Sequence, residues 1–399
     1  MKFIFQRIIF AIVFLVFLTG LIALARGYRL NFSQKSLQST GILVASSSPD
    51  GAKIYIDGQL KGATNTNITV RPGVYNVKIE KDGFSAWEKQ LTIKGELVIK
   101  ADALLFPKNP SLSPVASLGI VKAFASNSSE KIILLAQSGD IEKDGVYMLD
   151  NSRNPLSRVN PLKLLALKTS FPIDIDFANV TLEFSPDEQE ILVSINGLKT
   201  NAPRAIYLLS SDTKSAQSFE VTQSVRTIRS AWQIEQAKLT QKILDTFDEP
   251  LTAIATSSFD IIAFSPDDEK ILYRPKSNLN LPVIIEPRII ATNQTEETRN
   301  LKQGAIYVYD TKEDKNFELF GPGEKSGLVL WFPTSNHLVI QETDSIAIVD
   351  YDGTNKRTVY SGPFRKDFLT TSKDGKLFVL SNLNTQTDSL PDVYTVGIR

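Results

Sequence analysis

Few residues in this 399-residue chain could do chemistry. There is one histidine, His337, and there is no cysteine. A Ser-His-Asp triad would have to use His337, while disulfides, thiolate metal sites and cysteine nucleophiles are excluded. His337 stands at the mouth of a predicted strand, where we expect an ordinary turn role. The sequence therefore predicts no catalytic, metal-binding or cofactor-binding residue.

Acidic residues group at three places, but none of the three groups has the spacing of a known metal-binding or catalytic motif. The run Asp350-Tyr351-Asp352-Gly353 starts like a calcium loop but lacks the Gly and Glu spacing of an EF-hand, which favours a strand-ending turn. Asp267-Asp268-Glu269 and Glu296-Glu297 are predicted to be solvated turn charges. The loops that mark nucleotide sites, serine hydrolases and zinc proteases are missing. Paired carboxylates of a glycoside hydrolase are defined by a spatial separation, so that possibility stays open.

Charge and composition narrow the class of protein. Lys plus Arg equals Asp plus Glu, at 44 each, so no field of one sign predicts nucleic-acid binding. Hydrophobic content of 42% is ordinary for a chain that buries real cores. A lipoprotein anchor would need a cysteine and is excluded.

A membrane span is predicted at residues 8–25. These eighteen residues carry no charge, and basic residues stand on both sides, Lys2 and Arg7 before and Arg26 and Arg29 after. We therefore expect residues 1–26 to be a short cytoplasmic tail and a signal-anchor helix. Flanking charge is nearly balanced, but a seven-residue tail is easily left in the cytoplasm, which places the bulk of the chain outside.

A cleaved signal peptide is the alternative. Ala23-Leu24-Ala25 fits a cleavage site. However, apolar regions of signal peptides have about 7 to 15 residues, and here the alanines lie inside the apolar run. The anchor is favoured, and cleavage after Ala25 stays open.

A small all-β unit is predicted after a polar stalk at residues 27–40. From residue 41 to 106 apolar residues alternate with polar ones, and turns recur every 8 to 12 residues. Asp57-Gly58 is a hairpin signal, because both central residues of a type I′ turn need positive φ. The pattern is typical of a small sandwich.

Five motifs stand in order in this unit. They are Pro49-Asp50-Gly51-Ala52, Lys53-Ile54-Tyr55-Ile56-Asp57-Gly58, Gly62-Ala63-Thr64-Asn65, Pro72-Gly73-Val74-Tyr75-Asn76-Val77 and Asp82-Gly83-Phe84. These residues resemble the PEGA domain family, with Asp50 in place of the usual Glu and Asn65 in place of the usual Pro. The resemblance implies an envelope-associated module without catalytic residues. Its aromatic residues, Trp87 among them, are expected in the sandwich core.

A repeat fills residues 117–399, after a proline-containing linker predicted at residues 107–116. A turn precedes a buried strand at Phe184-Ser185-Pro186-Asp187 and at Phe264-Ser265-Pro266-Asp267, with three weaker copies. Repeated short all-β units of about 40 to 60 residues predict a propeller, because one blade cannot bury both its faces and a ring can. We expect about five or six blades, with Phe184 and Phe264 each between neighbouring blades.

The repeats resemble the WD40-like, TolB-type propeller. Besides Ser-Pro-Asp, the strand ending Asp350-Tyr351-Asp352-Gly353 fits that pattern. Two stretches break the period: residues 223–247 are helical by composition, and residues 287–303 form a predicted long loop. The helix could pack on the side of the propeller or dock a partner.

The fold class predicted is therefore all-β after one transmembrane helix, with a PEGA-like sandwich and a propeller. The function predicted is a non-enzymatic, membrane-anchored, extracytoplasmic binding or scaffold protein of the cell envelope. Its partner would be an envelope protein, a peptide or a cell-wall glycan. The alternative is a propeller-type hydrolase that acts on envelope polymers. A sensor that signals through the anchor is disfavoured, because only seven residues precede the apolar run.

Overall fold

The protein is described by a computed structural model that covers most of the chain. The described residues are 2–25, 29–31, 36–152, 162–197, 200–213, 218–325, 327–383 and 390–399.

The chain divides into two compact units. Unit 1 comprises residues 1–108 and 285–296, and unit 2 comprises residues 109–284 and 297–399. The main division lies at residue 108, and residues 285–296 cluster with unit 1 although they lie within the predicted repeat region of the sequence.

An uncovered apolar helix, α1 (Lys2–Ala25), precedes the sheets of unit 1. Its segment Phe5–Ile22 has a mean hydropathy of 2.3, and none of the segment is buried. A helix bonds its backbone groups internally, which hydrocarbon requires, and 18 apolar residues are enough to cross it. α1 therefore has the length and composition of a membrane span.

The predicted stalk contains regular structure. Strands β1 (Arg29–Asn31) and β2 (Ser36–Gln38) pair antiparallel, with Leu30 opposite Leu37. The polar composition did not reveal this short ladder, because strands of three residues carry almost no periodicity. Residues 26–28 and 32–35 of the stalk lie outside the described part of the chain.

Residues 41–104 form the predicted sandwich. Its strands are β3 (Gly41–Ser48), β4 (Lys53–Ile56), β5 (Gln59–Ala63), β6 (Thr66–Val70), β7 (Gly73–Glu80), β8 (Trp87–Ile93) and β9 (Val98–Leu104). One sheet has the order β6-β3-β9 and the other the order β5-β4-β7-β8. Alternate side chains of both sheets, such as Leu43, Ile54 and Val77, fill one core that also holds Trp87. Asp57 and Gly58 have φ of 49° and 77° in the hairpin between β4 and β5, as predicted.

The predicted linker at residues 107–116 is wrong over its second half. Residues Ser111–Ala116 form β10, which pairs antiparallel with the last strand of the chain, Asp392–Gly397. Pro114 is compatible with this strand because β10 is the outermost strand of its sheet, where a missing N–H costs no ladder bond. The prolines and serines of this stretch are typical of a linker, and the local sequence does not reveal the pairing of β10 with a strand at the other end of the chain.

Unit 2 contains five four-stranded antiparallel sheets in its described residues. The first sheet has β11 (Ile120–Ala125), β12 (Lys131–Ala136), β13 (Gly145–Asp150) and β14 (Leu162–Leu167), and the second has β15 (Val180–Phe184), β16 (Glu190–Gly197), β17 (Thr200–Ser210) and β18 (Phe219–Glu220). Two single-turn 3-10 helices, Lys168–Ser170 and Phe177–Asn179, connect these sheets.

Two helices follow the second sheet, α2 (Val225–Leu244) and α3 (Glu249–Ser258). The third sheet has β19 (Phe259–Phe264), β20 (Lys270–Pro275), β23 (Ile306–Asp310) and β24 (Lys315–Phe320), and a small pair β21 (Leu279–Asn280) and β22 (Asn300–Leu301) lies between β20 and β23 in the chain. The fourth sheet has β25 (Val329–Trp331), β26 (His337–Gln341), β27 (Ile346–Asp350) and β28 (Arg357–Tyr360), and the fifth joins β10 to β29 (Leu369–Thr371), β30 (Lys376–Ser381) and β31 (Asp392–Gly397).

Each of these sheets buries both of its faces. In β12, Ile132 and Leu134 pack with the fifth sheet, while Ile133 and Leu135 pack with the second. The third and fourth sheets share a further core that includes Leu272. Burial on both sides explains why these strands read as continuous apolar runs rather than as alternating ones.

The helix pair fills the place between the second and third sheets. Val225 of α2 packs on Leu192 and Ile206 of the second sheet. Leu251 and Ala255 of α3 pack in the core of the third sheet. The predicted insertion at residues 223–247 is thus a helix, but α3 was missed because its Thr- and Ser-rich sequence is a weak helix former. Among the described residues, the helix pair thus lies between two of the five sheets.

The two repeat phenylalanines confirm this arrangement in part. Phe184 packs between the first and second sheets, as expected. Phe264 does not face a neighbouring blade, because its ring lies 6.4 Å from that of Phe247, which follows α2. In both sheets, the phenylalanine at this repeat position faces the element that precedes its sheet in the chain. That element is the first sheet for Phe184 and the helix pair for Phe264.

We expect Phe184→Ala and Phe264→Ala to lower the free energy of unfolding by similar amounts. Both rings are only half-buried, so the loss should be roughly 2 kcal/mol, less than the roughly 3 to 5 kcal/mol of a fully buried Phe. Phe219→Ala, at an exposed position of the second sheet, is the control and should change little. Urea unfolding measures all three, and a neutral Phe264→Ala would contradict packing of the helix pair on the third sheet.

Deletion of residues 1–25 should release the protein from membranes. α1 is the one helix in the described residues that is long and apolar enough to span a bilayer. The measurement is fractionation after a high-salt wash, with the full chain as control. A truncated protein that stays with the membrane pellet would contradict a single anchor.

Candidate functional site

A repeated turn joins the first and second strands of the sheets in unit 2. In the second sheet, Ser185 Oγ donates to Asp187 Oδ1 at 2.5 Å and accepts from the Glu190 N–H at 2.9 Å. Asp187 also accepts from the Gln189 N–H at 3.1 Å. Glu188, at the left-handed position, has a φ of 57°. The Ser-Pro-Asp motif is therefore a set of hydrogen bonds that closes this turn.

The same turn recurs in the third and fifth sheets. Ser265 Oγ bonds Asp267 at 2.5 Å, and Ser372 Oγ bonds Asp374 in the same way. The hydroxyl of Ser185 and the backbone N–H of Gln189 lower the pKa of Asp187, which keeps it an acceptor. These carboxylates hold turns together and are not set up to donate a proton.

Three of the five sheets place a lysine or the histidine opposite an aspartate. The first residue of the second strand lies opposite the last residue of the third strand in each case. The three register pairs are Lys131 with Asp150, Lys270 with Asp310, and His337 with Asp350, although Lys131 Nζ itself bonds Asp212 at 3.1 Å.

Lys270 and Asp310 form the most buried of these pairs. Their charged atoms are 3.9 Å apart and both side chains are almost fully buried. Lys270 Nζ lies 4.9 Å from the ring centroid of Tyr351, a cation–π distance. Burial raises the pKa of Asp310, although Lys270 and two backbone N–H groups oppose the rise. The carboxyl group of Asp310, whose pKa is raised, is thus buried away from solvent.

The single histidine holds the equivalent place in the fourth sheet. His337 Nε2 is 3.5 Å from Asp350 Oδ1, and Nδ1 is 2.8 Å from Thr334 Oγ1. His337 is 6% exposed and is the first residue of β26, rather than a turn residue before it. It holds the same register position in the fourth sheet that Lys270 holds in the third.

The predicted calcium-like run is a strand-ending turn. Asp350 ends β27, and Asp352 Oδ1 accepts from the N–H and the hydroxyl of Thr354 at 3.1 and 2.6 Å. Asp350 also accepts from Asn355 Nδ2 at 3.0 Å. Protein donors thus surround both carboxylates. Throughout the described ranges, no group of three or more His, Asp and Glu side chains is placed to hold a metal ion.

A cavity of about 210 Å³ lies between the first and fifth sheets. Its walls include Asp150, Asn151, Asp374 and Lys376, above the ring of Phe378. Asp374 pairs with Lys376 at 3.1 Å. The Asn151 amide donates to carbonyls on both sheets, so the polar wall of the cavity also ties the two sheets together.

The middle of α2 is the largest departure from the repeat. Only the two ends of the helix are buried, at Val225 and Leu244. Between them Ile234 is 59% exposed and Leu239 is 42% exposed, about 140° apart around the helix, whereas Trp232 packs in part on the second sheet. We call Ile234, Leu239 and the lysines at 238 and 242 the α2 surface.

One ion pair fixes α2 against the second sheet. Arg229 Nε donates to Glu183 Oε2 at 3.0 Å, and a second guanidinium nitrogen bonds the other carboxylate oxygen. Glu183 lies on β15, the first strand of its sheet. The bidentate geometry sets the rotation of α2 about its axis and so determines which side chains face outward.

We expect His337→Lys to be tolerated better than His337→Ala. A lysine restores the arrangement that Lys270 has in the third sheet, whereas alanine leaves Asp350 with one partner fewer. The alanine variant should lose about 2 kcal/mol of stability and the lysine variant less than half of that. Urea unfolding compares them, and equal losses would contradict the structural equivalence of the two positions.

Known proteins match the chain in one region and resemble it loosely elsewhere. The model of the PEGA domain family matches residues 40–109. No curated protein matches the chain. Among solved structures, the putative TolB from Agrobacterium tumefaciens is 14% identical, with a TM-score of 0.22, over 65% of this chain and 69% of that one.

Two further structures are similar at the same level. TolB from Acinetobacter baumannii is 13% identical, with a TM-score of 0.24, over 81% of this chain and 60% of that one. An auxiliary nutrient binding protein from Bacteroides thetaiotaomicron is 10% identical, with a TM-score of 0.20, over 86% and 74%. At these identities and TM-scores, the likeness to solved structures carries no argument about this chain. The family match, by contrast, coincides with the sandwich of unit 1, so the chain carries a PEGA domain, as its five motifs predict.

Proposed function

We propose that this protein is a membrane-anchored binding or scaffold protein of the cell envelope, which holds a protein partner at the α2 surface. α1 would be the anchor, with residue 1 in the cytoplasm and the chain after α1 outside. The PEGA domain and the uncovered apolar helix support this location.

Two exposed apolar side chains on α2, with two lysines between them around the helix, carry the proposal. Ile234 and Leu239 leave much of their apolar area in water on a helix whose ends are buried and whose rotation is fixed. Burying such side chains against a partner is favourable by about 25 cal/mol per Å². The helix has four basic residues and one acidic residue, so an acidic rim around an apolar centre fits it best.

The cavity supports a peptide or glycan site less well. A volume of about 210 Å³ lies below the roughly 300 Å³ at which ligand pockets usually begin. Asn151 ties the two sheets together, and Asp374 is paired with Lys376 within the fifth sheet, so these polar groups already have protein partners.

The alternative of a hydrolase on envelope polymers would need a general acid with a raised pKa. In the cavity, burial raises the pKa of Asp374, but Ser372 and Lys376 together outweigh it and hold that pKa below its usual value. Asp310 has a raised pKa but is buried in a different sheet. Asp374 of the cavity is therefore not prepared to act as a general acid.

We expect a photoreactive amino acid at position 234 or 239 to form a discrete covalent adduct with an envelope protein in cells. The same group at Ile141, which is 69% exposed on another part of unit 2, is the matched control and should form none. The measurement is the pattern of adduct bands after irradiation.

Adding Ile234→Glu to a chain that carries the photoreactive group at position 239 should reduce the adduct about tenfold, since it removes apolar contact and repels an acidic rim. Adducts of equal intensity at 141 and 239, or an adduct that is indifferent to Ile234→Glu, would contradict the α2 surface as the binding face.

A further inference from the structure

One side chain in unit 1 makes the contacts that a neighbouring β-strand would make. Gln294 Oε1 accepts from the Thr92 N–H at 2.5 Å, and Gln294 Nε2 donates to the Thr92 carbonyl at 3.1 Å. The carboxamide thus replaces one peptide group of an added strand. Residues 285–296, which we call the arm, bring it there, since they cluster with the sandwich although they follow residue 284 of unit 2.

Thr92 lies on an edge that needs protection. β8 is the last strand of the order β5-β4-β7-β8, so its outer N–H and C=O groups could pair with another chain. Glu88 and Lys89 carry charge in the first half of the strand, but its second half, from Gln90 to Ile93, has none. Charge is a common guard of edge strands, and the uncharged half is where Gln294 bonds.

The base of the arm is held by a buried network in unit 2. Asp314, 1% exposed, accepts from the Ile284 N–H at 2.8 Å and from the Arg299 guanidinium at 2.9 Å. It also accepts from the Tyr309 hydroxyl at 2.6 Å. One carboxylate therefore fixes the chain on both sides of the arm, before residue 285 and after residue 296.

Such a base reduces the conformational freedom of the arm, because its two ends cannot separate. Arg299 also donates to Glu297, at 2.9 Å, which orders the returning end. The two ends of the twelve-residue arm are thus held close together by contacts within unit 2.

We propose that the arm is an edge guard: it occupies the pairing edge of β8 and so prevents a second copy of this chain from adding its own β8 there. An edge strand is complementary to its own copy, since two antiparallel copies related by a two-fold axis satisfy each other's outward groups. The occupant against which the guard acts is therefore a second copy, pairing β8 to β8.

The test uses the full chain in detergent with Gln294→Glu, which keeps the shape of the side chain but places a carboxylate oxygen against the Thr92 carbonyl. Glu296→Gln, the reverse exchange at an exposed position of the same arm, is the matched control. Hydrogen exchange of the segment 90–93 should become about tenfold faster in Gln294→Glu and stay unchanged in the control.

Self-association is measured in the same two backgrounds. The chain has no cysteine, so Gln90→Cys places one thiol on the exposed β8 edge, and a short thiol cross-linker reports pairing of two copies. We expect a cross-linked dimer with Gln294→Glu and a monomer with Glu296→Gln. Unchanged exchange, faster exchange without a dimer, or equal dimer in both backgrounds would each overturn the proposal.

Discussion

Burial of both faces of every sheet is the constraint on which unit 2 depends. A four-stranded sheet with two apolar faces is stable in water only between two neighbours, so the sheets must close on themselves. The antiparallel pairing of β10 with β31 brings the two ends of unit 2 into one hydrogen-bonded sheet. The helix pair completes the circle, because it offers apolar side chains to the second sheet through α2 and to the third through α3.

Closure also decides what the polar residues can do. The Ser–Asp turns of the second, third and fifth sheets and the buried Lys270–Asp310 pair have donors and acceptors that are engaged with one another. The one histidine falls into this pattern as a substitute for a buried lysine. Surfaces outside the repeat, the α2 surface and the arm, are therefore where this protein differs from a plain ring of sheets.

The arm and the helix pair are both insertions, and they show two physical outcomes for added chain. In the helix pair, burial of leucines at the ends of α2 and α3 offsets the conformational entropy that is lost when the added chain becomes ordered. The arm instead relies on polar contacts: Asp314 bonds the chain on both sides of the arm, and Gln294 within the arm bonds Thr92. Polar anchoring suits a segment that covers an edge of backbone groups, because only hydrogen bonds satisfy such groups.

The sequence by itself determined the apolar helix, the sandwich and the repeat of turn and strand, because each depends on local periodicity and on residues with special φ such as Asp57 and Gly58. Tertiary structure alone decided the rest. Three such features are the pairing of β10 with β31, the packing of Phe264 beside the helix pair, and the clustering of residues 285–296 with unit 1. Each depends on a partner far away in sequence, such as Thr92 for Gln294 at a separation of 202 residues, and local patterns carry no information about such partners.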